Sequence, residues 1–173
     1  MLNVPNLEVI PAKGEEIARP GLGPAALVLE LSRQKAGEVS PAGEPDTVTI
    51  GADTIVVLDG QVLGKPRDEA EAAEMLRALS GRSHIVYTGV TVMRGSRVLC
   101  HAERTEVRFR HLSDEEIAAY IRSGEPMDKA GAYGAQGLAS LFVEGLDGDF
   151  FNVMGLPLCA LGKMLNELGV NLL

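Results

Sequence analysis

TVTIGADTIVVL, residues 47–58, is the stretch on which the fold turns. β-Branched Val, Ile and Thr dominate it, and such side chains pack well on a pleated surface but lose rotamer freedom in a helix. The run therefore predicts a buried strand. Asp59-Gly60 follows, a dipeptide suited to a tight two-residue turn, and Gln61-Val62-Leu63 supplies the returning arm of a hairpin.

One residue of that strand does not fit its packing. Asp53 stands between Ile50 and the run Ile55-Val56-Val57. Removing the partner of a buried charge costs about 3–5 kcal/mol, so a carboxylate here needs a cation or strong donors. The competing reading is a β-bulge or turn-capping aspartate held by backbone N–H groups.

Outward from the strand, Pro and Gly cluster at 11–24 and 37–46, which predicts loops. Between them Leu27, Leu31 and Lys35 recur every four residues, giving a helix from Ala25 to about Ala36 with Lys35 near its apolar stripe. After the hairpin a helix is expected from Asp68, with Glu71 completing a capping box. Ala72, Met75, Leu76 and Leu79 form its inner face and Gly81 its stop. A long hairpin comes next, about His84–Arg94 and Arg97–Arg110 around Gly95-Ser96, with Val86, Thr88, Val90 and Val92 on one face. Ser113 with Glu116 caps a further helix that Gly124 and Pro126 end. Pro157 opens a last one carrying Leu158, Leu161, Leu165 and Leu168. Long hairpins with separated helices indicate α/β or α+β around a mixed sheet, not a doubly wound parallel one.

The 173 residues suit one domain with a proper core. With 16 basic against 24 acidic residues and a net charge of −8, no basic run is present to grip a nucleic-acid polymer. No apolar stretch approaches the ~20 residues that span a bilayer, and no membrane partner is expected. The start MLNVPNLEVIP lacks the regions of a signal peptide. Cys100 and Cys159 form no CxxC pair, and His84, His101 and His111 are not at zinc-site spacings, so a cytoplasmic location is the default.

Familiar phosphate loops are absent. Gly21-Leu22-Gly23-Pro24 has flanking prolines and no preceding strand. Gly64-Lys65 is followed by Pro66, not Ser or Thr. Alone, Lys65 reads more readily as a solvated turn lysine, Lys35 as a helix-edge lysine whose stem covers apolar surface, and Glu16 as a loop acid, than as site residues. Lys129-Ala-Gly-Ala-Tyr-Gly-Ala-Gln-Gly137 spaces its glycines so that backbone can approach a ligand, and Gln136 offers both a donor and an acceptor to a base edge.

Taken together, GADTIV (51–56), LGKP (63–66), LSGRSH (79–84), YTGV (87–90), TEVRF (105–109), SGEP (123–126), DKAGAYGAQG (128–137) and GDFFNVMGLPL (148–158) occur in one order and spacing. This resembles the Maf family of nucleoside triphosphate pyrophosphatases from about Leu7 to the C-terminus. The resemblance implies an α/β, Maf/ITPase-like elongated mixed sheet with flanking helices, two lobes around a cleft, and a homodimer. It implies hydrolysis of a nucleoside triphosphate to the monophosphate and pyrophosphate with a divalent metal cation, Mg²⁺ or Mn²⁺. Asp53 would be the proton acceptor, Lys35 and Lys65 would contact phosphates, and Glu16 would join Asp53 in the acidic metal site. Thr54 and Gln136 would select the base, and this pair resembles the branch acting on dTTP and UTP. A catalytically weak nucleotide-binding or division-regulating protein, and a purine-type pyrophosphatase, are the alternatives. Family members begin with a strand and a Ser/Arg loop that cradles the triphosphate. This sequence has nothing like it, its Met1-Leu-Asn-Val-Pro matches the end of the helix that follows that loop, and a longer N-terminus with the loop upstream of Met1 is expected.

Overall fold

A computed structural model describes residues 6–14, 19–40, 44 and 46–172. The strand read from residues 47–58 is β1 (Val48–Leu58). It turns through Asp59 and Gly60, both at positive φ, into the short β2 (Gln61–Leu63). β3 (Ser83–Arg94) and β4 (Arg97–Phe109) form the long hairpin, and β5 (Val143–Asp147) closes the sheet in the order β2-β1-β3-β4-β5. The mixed α/β architecture is as expected, and every ladder among the described residues is antiparallel.

Helix α1 (Pro24–Val39) lies on one face of the sheet. Its stripe is centred one residue beyond the sequence reading, on Val28, Ser32 and Ala36, which leaves Lys35 at the margin. Two glycines decide how closely the helix docks. A Cβ at Gly51 would lie 2.4 Å from the Ser32 carbonyl oxygen, and one at Gly89 2.1 Å from that of Val28. The helix backbone therefore rests directly on strand backbone, with Ser32 Oγ and Thr91 Oγ1 2.9 Å apart across the contact.

The opposite face carries two apolar clusters. One joins Val56, Leu58 and Val86 to α2 (Glu69–Leu79), α3 (Asp114–Arg122), Tyr133 and Phe142. The other joins Val90 and Val92 to Leu161, Met164 and Leu165 of α5 (Leu158–Glu167). Between them runs a polar seam. Thr88, Thr105 and Asn152 of α4 (Phe150–Val153) are wholly buried there, with Asn152 Nδ2 donating to Val86 O at 3.1 Å and Thr105 Oγ1 at 2.8 Å. The seam fixes the 148–155 segment to the middle of the sheet.

The caps follow the sequence with one correction. Ser113 and Glu116 form the full capping box of α3. Asp68 does accept from Glu71 N–H, but the Glu71 carboxylate turns outward to the backbone N–H and guanidinium of Arg67. Both cysteines are free and exposed, and no described helix is long and apolar enough to cross a membrane.

Candidate active site

β2 pairs only with Val56–Leu58, so among the described residues β1 has an open edge before Val56. A cavity of about 270 Å³ occupies that region. Lys35, Asp53, Thr54, Lys65 and Gln136 all line it, five residues spread over a hundred positions of sequence. Glu16, the remaining expected site residue, lies outside the described residues.

Asp53 is the buried anchor. It faces α1 across from Gly89, the glycine that admits the helix, and Lys35 Nζ donates to its Oδ1 at 2.5 Å. The expected counter-charge is thus supplied from the margin of α1. This excludes the bulge reading, because the β1–β3 register runs unbroken from Val48 to Val57.

Thr54 points to the other face, as strand alternation requires. Its hydroxyl lies 2.9 Å from that of Thr88 in the polar seam. Lys65 is exposed, and its loop is held because the Gly131 N–H donates to Gly64 O at 2.9 Å. That bond brings the GKP turn beside Asp128 and Lys129, a cavity pair that sequence reading did not single out. Lys129 Nζ donates to Asp128 Oδ1 at 2.5 Å, and this bond, with a weaker contribution from Lys65, holds the Asp128 carboxyl below its ordinary range. Three lysines therefore share the cavity with two carboxylates.

Gln136 is exposed on the rim, in a turn closed by Gly137 N–H donating to Gly134 O at 3.0 Å. Beneath the turn sits Glu125, also unmarked in the sequence beyond its SGEP block. Its carboxylate accepts from Tyr120 Oη at 2.9 Å and from Leu138 N–H at 3.0 Å, while Tyr120 Oη accepts from Gly134 N–H at 3.1 Å. A Cβ at Gly137 would lie 2.3 Å from the Glu125 carboxylate, so glycine lets the loop close over that carboxylate without displacing it. Burial, aided by the Glu125 charge, pushes the Tyr120 phenol up, and it stays a donor. The Gln136 turn is thus held by Glu125, directly at Leu138 and through Tyr120 at Gly134.

Behind the cavity wall His84 Nε2 and Tyr133 Oη are 2.7 Å apart, and Phe109 packs edge-on against both rings. Burial pulls the His84 imidazole down to about 4, so it is neutral at pH 7.

Residues 1–168 match the family model described as Maf-like protein. A dTTP/UTP pyrophosphatase of Moorella thermoacetica is 51% identical over 164 residues, covering 93% of this chain and 84% of that protein. One from Symbiobacterium thermophilum is 48% identical over 168 residues, covering 97% and 86%. One from Bacillus cytotoxicus is 46% identical over 167 residues, covering 96% and 86%. The matched span takes in the sheet, the helices packed on it and every residue lining the cavity, and on that breadth the chain belongs to the Maf family.

Proposed function

We propose that this protein hydrolyses nucleoside triphosphates, dTTP and UTP foremost, to the monophosphate and pyrophosphate. The observation that carries the reading is the convergence of Lys35, Asp53, Thr54, Lys65 and Gln136 on one cavity. The names of the relatives supply the substrate class.

A triphosphate carries about four negative charges, and its cleavage is chiefly a matter of positioning and neutralisation. Lys35, Lys65 and Lys129 supply cationic donors in a chain whose net charge is −8. Water attacks the α-phosphorus, Asp53 accepts its proton, and the bond to the bridging oxygen breaks as pyrophosphate leaves. Lys35 holds the Asp53 carboxylate at the cavity edge. Thr54 and Gln136, on the far side, meet the base.

Divalent cations of the Mg²⁺ type take one or two carboxylates and complete their shell with water and substrate phosphate. Asp53 and Asp128 are hard oxygen donors lining the cavity, which fits that demand; no group of three or more ligating side chains occurs among the described residues. A bound ion would supply charge neutralisation and a more acidic water. We place the enzyme in the cytoplasm, where two free, exposed cysteines suit a reducing medium; a homodimer is what the family resemblance implies.

Pyrophosphate release measured across dTTP, UTP, dCTP, GTP and methylated GTP tests the proposal. Fastest turnover of dTTP and UTP is expected. Nucleotide binding without pyrophosphate release would make the protein a binding module instead.

A further inference from the structure

We infer that Thr88, buried and out of reach of any substrate, fixes the Thr54 hydroxyl as a hydrogen-bond acceptor toward the cavity and so selects pyrimidines that carry an N3–H. The inference rests on the reading above that the base lies against Thr54.

The direction of each proton follows from the partners. Thr88 Oγ1 is 2.8 Å from the Asn152 carbonyl oxygen, which has no proton to give, so the single Thr88 proton is donated there. Thr88 Oγ1 is also 2.9 Å from Thr54 Oγ1. With its proton used, Thr88 accepts, and Thr54 donates. Thr54 then has only lone pairs left for the cavity.

The far end of this relay is rigid. Asn152 is wholly buried, its side-chain Nδ2 is tied to Val86 O and Thr105 Oγ1, and its backbone carbonyl, the one Thr88 meets, also takes the Gly155 N–H at 2.9 Å. The near end is open. A Cβ at Gly155, whose φ is +100°, would lie 3.3 Å from Thr54 Oγ1, so glycine leaves the approach to that oxygen clear.

Thymine and uracil present an N3–H donor, which meets an acceptor without disturbing the relay. Cytosine presents a bare N3 acceptor. To meet it, Thr54 would have to turn its proton outward, Thr88 would have to donate to Thr54, and the buried Thr88–Asn152 bond would be lost. One such bond corresponds to roughly tenfold in kcat/KM. Thr88 is thus a positioning residue for base choice.

The test is the ratio of kcat/KM for dTTP to that for dCTP. In Thr88→Val the ratio is expected to fall about tenfold, by gain on dCTP more than loss on dTTP, and Thr88→Ser is expected to restore it. An unchanged ratio in Thr88→Val overturns the inference. Should the valine variant melt below the assay temperature, Thr88→Ser against Thr88→Ala makes the same comparison, and equal ratios in those two overturn it. Thr54→Val separates the two layers. A ratio indifferent to Thr54→Val sinks base reading at Thr54 and this inference with it. A ratio that responds to Thr54→Val but not to Thr88→Val sinks this inference alone. In the Thr54→Val background, adding Thr88→Val is expected to change nothing further.

Discussion

Lys35 Nζ and Asp53 Oδ1 are 2.5 Å apart, with the aspartate 8% exposed and the lysine 28%. The pair joins a helix margin to a strand interior, and it forms only because Gly51 and Gly89 let α1 rest on the strand backbone. Its value is less in net stability than in geometry, since desolvating two charges offsets much of their attraction. What it secures is a carboxylate held at a fixed place on the cavity edge.

Asp53→Asn keeps the shape of that carboxylate but removes its charge and its basic oxygen. kcat is expected to fall at least ~10²-fold, the range of general-base loss, with the fold retained. Steady-state pyrophosphate release with a thermal melt as control measures this, and near-normal turnover would assign Asp53 to structure.

Gly89→Ala places a methyl group 2.1 Å from the Val28 carbonyl oxygen, and backbone on both sides leaves nothing flexible to yield. Helix α1 must lift, taking Lys35 away from Asp53. A stability loss of about 1–3 kcal/mol or more is expected by chemical denaturation, together with reduced activity in whatever remains folded. Full stability would mean that α1 docks less tightly than this contact requires.

At the turn proposed to meet the base, Gln136→Glu replaces an amide donor with a negative charge. kcat/KM for dTTP and UTP is expected to drop more than that for GTP, because a site built to hydrogen-bond one edge discriminates once that partner is wrong. Glu125→Ala is expected to act in the same direction by freeing both ends of the turn, mainly through KM. Equal losses on all three nucleotides would make Gln136 a loop-shaping residue.

His84 sets a pH dependence of stability. Its folded pKa, about 4, lies below the ordinary 6.5 of an exposed imidazole because burial disfavours the cation. Between those values the unfolded chain binds a proton that the folded chain does not, so stability rises with pH across the window. The contribution is complete above about pH 6.5 and is lost as pH falls toward 4, amounting to roughly 3 kcal/mol. Urea unfolding at several pH values should show this slope in the native protein and a shallower one in His84→Gln; identical slopes would count against it.

Removing divalent cations with excess EDTA is expected to abolish pyrophosphate release, with recovery on adding Mg²⁺ or Mn²⁺. Full turnover in EDTA would leave the lysines alone to neutralise the triphosphate and would overturn the proposed metal-holding role of Asp53 and Asp128.

Much of this architecture was legible locally. β-Branched runs, Asp59-Gly60 and Gly95-Ser96 turns, and the Ser113/Glu116 cap act over a few residues, so the chain itself determined β1 to β4, α2 and α3. β5 and the four-residue α4 were not legible, because segments that short have no period to read and owe their form to the ladder with β4 and to the Asn152 seam. Asp53 announced itself as a misfit in an apolar strand, but its partner did not. Whether Lys35 solvates its head or salts a carboxylate depends on how near α1 comes to the sheet, and two glycines 38 positions apart decide that. The same holds for Glu125 under the Gln136 turn and for Thr88 behind Thr54. A polar side chain's type is written in the sequence, but its partner and the direction of its proton are set by what tertiary packing brings within 3 Å.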